Sequence, residues 1–145
     1  MALEFATLDR GRMHALLDAL LAVSADSSPW DRSNFLAELP GKWEHSFVAM
    51  EGGPVGYAIL SRRDPGWLHV HQFMVAAPDR GRGIGARMME EARRRADAAG
   101  RSGLSLKVAI GSVGAMRFYA RLGFVEGASE GGYVWMRRPA DAGQG

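Results

Sequence analysis

Three groups of residues carry types and spacings that chemistry can use. The first is Arg80-Gly-Arg-Gly-Ile-Gly85, followed by Ala86. Glycines at 81, 83 and 85 let main-chain N–H groups converge on one point with no Cβ in the way, just where a helical pattern begins and presents its positive end. That arrangement suits a pyrophosphate, and Arg80 and Arg82 add side-chain charge beside the fixed dipoles. The second group is His69 and His71 in Leu-His-Val-His-Gln-Phe-Met-Val, two apart on a strand pattern and therefore on one face. With an ordinary pKa near ~6.5 an imidazole accepts a proton at neutral pH, so the pair reads as a base, as a polar face or as part of a metal site. A metal site needs more ligands than the sequence assembles around them. The third is Tyr119 in Arg117-Phe-Tyr-Ala-Arg-Leu-Gly-Phe124, a phenol that either packs or gives a proton to a leaving group within hydrogen-bond reach.

Rival readings of the glycine loop fail on context. Gly81-x-Gly83-x-x-Ala86 satisfies a dinucleotide fingerprint, but that fingerprint follows the first strand of a βαβ unit and needs an acid closing the second strand. Here a run of antiparallel strand patterns precedes the loop, and the next strand reads Leu104-Ser-Leu-Lys-Val108. No G-x-x-x-x-G-K-[ST] run is present, and the absence of cysteine excludes disulfides, thiolate metal sites and cysteine nucleophiles.

The elements that must position these residues follow from periodicity. Leu3 to Leu8 alternates like a strand, and Met13, Leu16, Leu17, Leu20 and Leu21 recur at helical spacing. Ser28 or Asp31 can cap a short helix that ends before Pro40 and Gly41. His45 to Glu51, the Gly-Gly-Pro turn and Val55 to Arg63 form a hairpin pattern, and Asp-Pro-Gly turns the chain into Trp67–Val75. Ile84, Met88, Ala92, Ala96 and Ala99 then line one helical face until Gly100. A strand at Leu104–Ile110, a helix over Val113–Gly123 and a last strand at Gly132–Arg138 complete the order. The fold class is α/β (α+β), a mixed and mostly antiparallel sheet of about six or seven strands flanked by about four helices.

A chain of 145 residues with 47% hydrophobic composition has room for one such domain, taken as 1–138 with a polar tail over 139–145. A formal charge of +2 demands neither a nucleic-acid nor a membrane partner. Basic residues nevertheless gather between Arg80 and Arg121, where a polyanion can be held, while Arg93, Arg94 and Arg95 read as the solvated side of a helix. The first residues lack the basic start and apolar core of a signal segment, and no apolar run approaches the ~18 residues of a membrane span. A soluble, cytoplasmic protein is expected.

Two blocks in register carry a family resemblance. Arg80-Gly-Arg-Gly83-Ile-Gly85 resembles the R-x-x-G-x-G/A signature of the GNAT superfamily of N-acetyltransferases, preceded by that family's cofactor-pairing strand, here Phe73-Met74-Val75. Leu104 to Phe124 is similar to its L-x-V, N-x-x-A-x-x-F-Y and G-F pattern, with matches at Ala115, Phe118, Tyr119, Gly123 and Phe124. The resemblance spans roughly Ser46 to Arg137; earlier residues match loosely.

The resemblance implies a single GNAT domain using acetyl-coenzyme A as co-substrate, with no metal. The pyrophosphate would lie on Arg80, Gly81, Arg82, Gly83, Ile84, Gly85 and Ala86, and the pantetheine arm would pair like an added strand with Phe73, Met74 and Val75. Ser112 stands where the family has an asparagine and is expected at the cofactor. Tyr119 would protonate the departing thiolate, an amide near Met74 or Val75 would polarise the carbonyl, and His71 with His69 would take the amine proton. That H-x-H spacing is similar to that of serotonin N-acetyltransferases. The segment around Pro29, Trp30 and Phe35 is loosely similar to ribosomal-protein alanine N-acetyltransferases, but Lys107 holds the strand position of their catalytic glutamate. The expected function is direct acetyl transfer to a small-molecule primary amine, by a monomer or homodimer. A peptide N-terminal acetyltransferase and a non-catalytic acetyl-coenzyme A binding module are the alternatives.

Overall fold

Alternating and helical runs assemble in the computed structural model, which describes residues 2–26 and 30–140, into one mixed sheet with helices on both faces. The strands are β1 (Glu4–Thr7), β2 (Phe47–Met50), β3 (Pro54–Arg63), β4 (Trp67–Val75), β5 (Gly103–Ala109), β6 (Val125–Glu130) and β7 (Tyr133–Pro139). The helices are α1 (Arg10–Ser24), α2 (Arg32–Leu36), α3 (Lys42–His45), α4 (Ile84–Ala98) and α5 (Val113–Arg121). Strand order is β1-β2-β3-β4-β5-β7-β6, and every neighbouring pair is antiparallel except β4 and β5, which α4 connects.

Local chemistry sets the helix ends. Asp9 accepts the Arg12 N–H at 2.8 Å to open α1, and Asp31 with Asn34 forms a reciprocal capping box on α2. Ser28, the other cap candidate, lies outside the described residues, as does the tail from 141 onward. On one face of the sheet α4 and α5 bury Leu60, Leu68, Val70, Met88, Ala92, Leu106 and Met136; on the other, α1 and α2 bury Met13, Leu17, Leu20, Phe35, Val48, Tyr57 and Ile59.

Two features of β4 shape everything downstream. Its pairing with β3 passes from Ile59↔Gln72 to Leu60↔Val70, so His71 is an extra residue, a β-bulge. The bulge shifts the phase of alternation: Leu68 and Val70 face the α4 core, and so do Phe73 and Val75, while Met74 packs toward α1. Strict alternation would have put Phe73 and Val75 on the histidine face. The second feature is a fork. β4 pairs with β5 only through Trp67↔Gly103, Leu68↔Leu104 and His69↔Ser105; β5 then follows β7 to Ala109↔Tyr133 while β4 stays with β3.

Two elements go beyond the sequence expectation. β6 is exposed along its whole length, pairs only with β7 and contains a register shift, so its sequence Val-Glu-Gly-Ala-Ser-Glu shows no alternation. The single turn α3 carries Lys42, a fully buried lysine. Its Nζ donates to the carbonyl oxygens of Phe35 and Ala37, each at 2.6 Å, and of Asn34 at 3.3 Å, satisfying the C-terminal end of α2. Burial pulls the Lys42 pKa down to about 8. Replacing Lys42 with Met keeps the length and removes the donor, and should cost roughly 3 kcal/mol in urea unfolding because buried carbonyls lose their partner. An unchanged unfolding midpoint would contradict this role.

Candidate active site

Past the fork, the edge of β4 that β5 has left borders a cavity of about 500 Å³. Main-chain direction along that edge follows from one bond: Ala76 N–H donates inward to the Val55 carbonyl at 2.8 Å. Alternation then turns the N–H and C=O groups of Val75 and Phe73 outward and those of Met74 inward to β3. Arg80 agrees, since its Nε donates to the Val75 carbonyl at 2.9 Å. Phe73, Met74 and Val75 all border the cavity, but of the two amides expected to polarise a carbonyl only that of Val75 is on the open edge.

The loop wraps the other side. Gly81 and Gly83 adopt φ of 79° and 80°, the left-handed region, and nothing lies within 4 Å of where a Cβ would stand. Their main chain is therefore open toward the cavity, and Gly83 opens α4. Gly85 has a different reason: a Cβ there would sit 3.2 Å from Cζ of Phe118, so its absence lets α5 approach α4. Arg80, Ile84 and Ala86 also border the cavity, whereas Arg82 and Ser112 do not. Arg82 reaches away to Glu51 at 2.7 Å and Asp79 at 3.0 Å, and Arg80 pairs with Asp26 at 3.0 Å. Ser112 is an exposed residue ahead of α5. Asp79, Ala115 and Phe118 complete the lining. Ala115 and Phe118 had a signal in the second sequence block; Asp79 had none.

Tyr119 projects from α5 into this wall. Its ring stacks edge-on against Phe118, Phe124 and Phe73, at 5.2, 5.7 and 6.5 Å between centroids. Burial pushes its phenol above the ordinary value of 10, so the hydroxyl is a proton donor across the neutral range.

The histidines lie on the opposite face of β4, at the root of the fork. His69 is buried, with Nε2 3.2 Å from Arg63 Nη1 and Nδ1 2.8 Å from Ser105 Oγ. A guanidinium only donates, so Nε2 accepts and Nδ1–H donates to the serine, which commits both nitrogens. His71 is partly exposed, its Nε2 2.6 Å from Ser61 Oγ, and the two rings are 4.7 Å apart. Burial, reinforced by nearby cations including Arg63 and Lys107, lowers His69 to about 3 and His71 to about 4. The expectation of an ordinary imidazole is thus corrected: both rings stay neutral far below neutral pH. Among the described residues no group of three or more His, Cys, Asp or Glu is placed to hold a metal ion.

Residues 10–124 match the acetyltransferase (GNAT) family. The chain belongs to that family. Comparison with curated proteins finds no match. Among solved structures this GNAT acetyltransferase is similar to Ard1 from Thermoplasma volcanium, with a TM-score of 0.80 and 19% identity over 97% of this chain and 99% of that one. It is similar to the ribosomal-protein-S18-alanine N-acetyltransferase of Escherichia coli, with a TM-score of 0.76 and 18% identity over 96% and 94% of the two chains. An acetyltransferase from Bacillus anthracis in complex with acetyl coenzyme A shares a TM-score of 0.58 and 20% identity over 63% of this chain, which spans only 59% of that relative. These likenesses establish the fold in which the fork sits.

The histidine chemistry of this GNAT chain generates a test of its own. Because folded-state values lie below an unfolded value near 6.5, the native protein binds fewer protons between the two; the histidines' contribution to stability should be constant above about pH 6.5 and decline as pH falls from there toward 4. Melting temperatures from pH 8 to 5 should show that slope in the wild type and a shallower one in His69→Gln. Equal slopes would contradict burial of neutral imidazoles.

Proposed function

We propose that the protein transfers the acetyl group of acetyl-coenzyme A to a primary amine by direct attack within a ternary complex. The observation that carries this reading is the β4 edge, whose outward Phe73 and Val75 main chain leads straight into the open glycines of the loop and the start of α4. One long ligand with amides at one end and a pyrophosphate at the other matches that sequence of donors. Arg80 and Arg82, tied to Asp26, Glu51 and Asp79, brace the loop in the shape the phosphates need.

In this reading the amine nitrogen bonds to the acetyl carbon, the carbon–sulfur bond breaks, and the Val75 N–H faces the oxygen as charge builds on it. Tyr119 gives its proton to the departing sulfur. His71, with Nδ1 as its remaining nitrogen, takes the proton from the attacking nitrogen, directly or through a water. A base with a pKa of about 4 does not strip a proton from an alkylammonium ion in solution. The amine arrives neutral, and His71 acts as nitrogen acidifies during attack. His69 holds the root of the fork rather than moving protons.

Saturating acetyl-coenzyme A should raise the melting temperature, since a ligand of the native state alone adds RT ln(1 + [L]/Kd), and free thiol should appear only when an amine is present. Val75→Pro removes an outward N–H while leaving the β3 pairing intact, and should abolish the thermal shift in a protein that still folds. His71→Gln and Tyr119→Phe should keep the shift and lose about 100-fold in kcat. The kcat/KM profile of wild type and His71→Gln should rise together with the ionisation of the amine, with no separate limb near pH 6.5. No thermal shift with acetyl-coenzyme A, or a wild-type limb near 6.5 that His71→Gln removes, would overturn this mechanism.

A further inference from the structure

On the histidine face, none of the described helices packs a core against β5, β6 or β7: the core beneath α1 and α2 contains no residue of those strands. There β5 turns Ser105 and Lys107, and β7 turns Trp135 and Arg137, away from the α4 core that takes Leu104, Leu106 and Met136. Ser105 is the last rung of the fork, so Lys107 is the next residue outward on that face once β5 has left β4.

Trp135 is the centre of an unusual grouping. Arg63, Lys107 and Arg137 place their charged ends 5.0, 5.0 and 5.7 Å from its ring centre, and His69 meets it at 5.5 Å. Arg137 also lies 5.2 Å from the ring of Trp67. The acid in contact is Glu130, whose Oε2 accepts from the indole N–H at 3.2 Å. Among the described residues none of the three cations forms an ion pair, though Arg63 donates to His69 Nε2 at 3.2 Å. Like charges gathered on one ring repel, and an anion brought among them relieves that repulsion.

We propose that this platform is the acceptor subsite and that the acceptor amine carries a carboxylate, held by Lys107, Arg137 and Arg63 over the Trp135 ring while its nitrogen reaches His71. The inference rests on the transferase reading above and names its substrate class. His69 touches both His71 and Trp135, at 4.7 and 5.5 Å between ring centres, so the proposed base and the cation platform flank one buried ring on the same face of the sheet. The same positive field favours the neutral form of the amine, which is the nucleophile, and repels acceptors that bring a second cation. A free amino acid and the N-terminal acidic residue of a peptide present the same chemistry.

The test compares acceptors matched except for the carboxylate: phenylalanine with phenylalaninamide and phenethylamine, spermidine as a dication, and peptides beginning with Asp or Asn. Rates are compared per neutral amine by thiol release, and acetyl-coenzyme A thermal shifts are measured on each protein. The acid of a pair should win by about tenfold or more in kcat/KM, and Lys107→Gln with Arg137→Gln should erase the preference through KM for the acid alone. Preference for phenylalanine places the subsite on free amino acids, and preference confined to the Asp peptide places it on acidic chain ends; both support the proposal. Equal or better use of the carboxylate-free partners, or a preference that survives both substitutions, overturns it while leaving the transferase reading intact. Absence of a thermal shift, or a shift without thiol release from any acceptor, removes the transferase reading and the subsite together.

Discussion

The structure depends on β4 parting from β5 two residues before its bulge. Parallel pairing ends at His69↔Ser105, where the imidazole Nδ1–H donates to the serine hydroxyl at 2.8 Å. The extra residue at His71 bends and twists β4 immediately afterward, as bulges do. Beyond it, the main chain of Phe73 and Val75 is left facing a cavity. The phase change at the same residue sends Phe73 toward α4 and α5, where it supports Tyr119 and Phe118.

One irregularity therefore separates two chemistries across the thickness of a single strand. On the α4 side the open edge of β4, the left-handed glycines and a neutral phenol border one cavity. The α1 side offers neutral imidazoles and uncompensated cations. Burial and cations act in the same direction on the histidines and keep both imidazoles neutral, with both nitrogens of His69 committed to Arg63 and Ser105. In the mechanism proposed above, catalysis rests chiefly on holding two reactants on opposite sides of the fork, with proton transfer a smaller contribution.

Much of this was legible in the sequence because its signals are local. The loop glycines, the helix periodicity after Gly83 and the block ending in Phe118-Tyr119 each lie within one element, and the structure brings their residues to one cavity, with Arg82 and Ser112 outside it. The bulge was not legible, since nothing in Leu-His-Val-His-Gln-Phe-Met-Val marks which residue is extra. Nor was the depressed basicity of His69 and His71, which arises from burial and from Arg63 and Lys107 on other strands. β6 escaped because an exposed edge strand needs no alternation, and the cation cluster on Trp135 because its members come from three strands. Gly85 was legible as a member of the loop and borders the cavity, while nothing in the sequence signalled that a Cβ there would also press on Phe118 from α5.

The most direct measurement of the central claim is residue-resolved amide hydrogen exchange along β4, without and with acetyl-coenzyme A. The free protein should protect Met74 and Ala76, whose N–H groups turn toward β3, and leave Phe73 and Val75 exchanging rapidly at the open edge. Acetyl-coenzyme A should slow Phe73 and Val75 selectively. Equal protection of all four amides in the free protein, or no response at Phe73 and Val75 to the cofactor, would contradict an open fork that binds its ligand as an added strand.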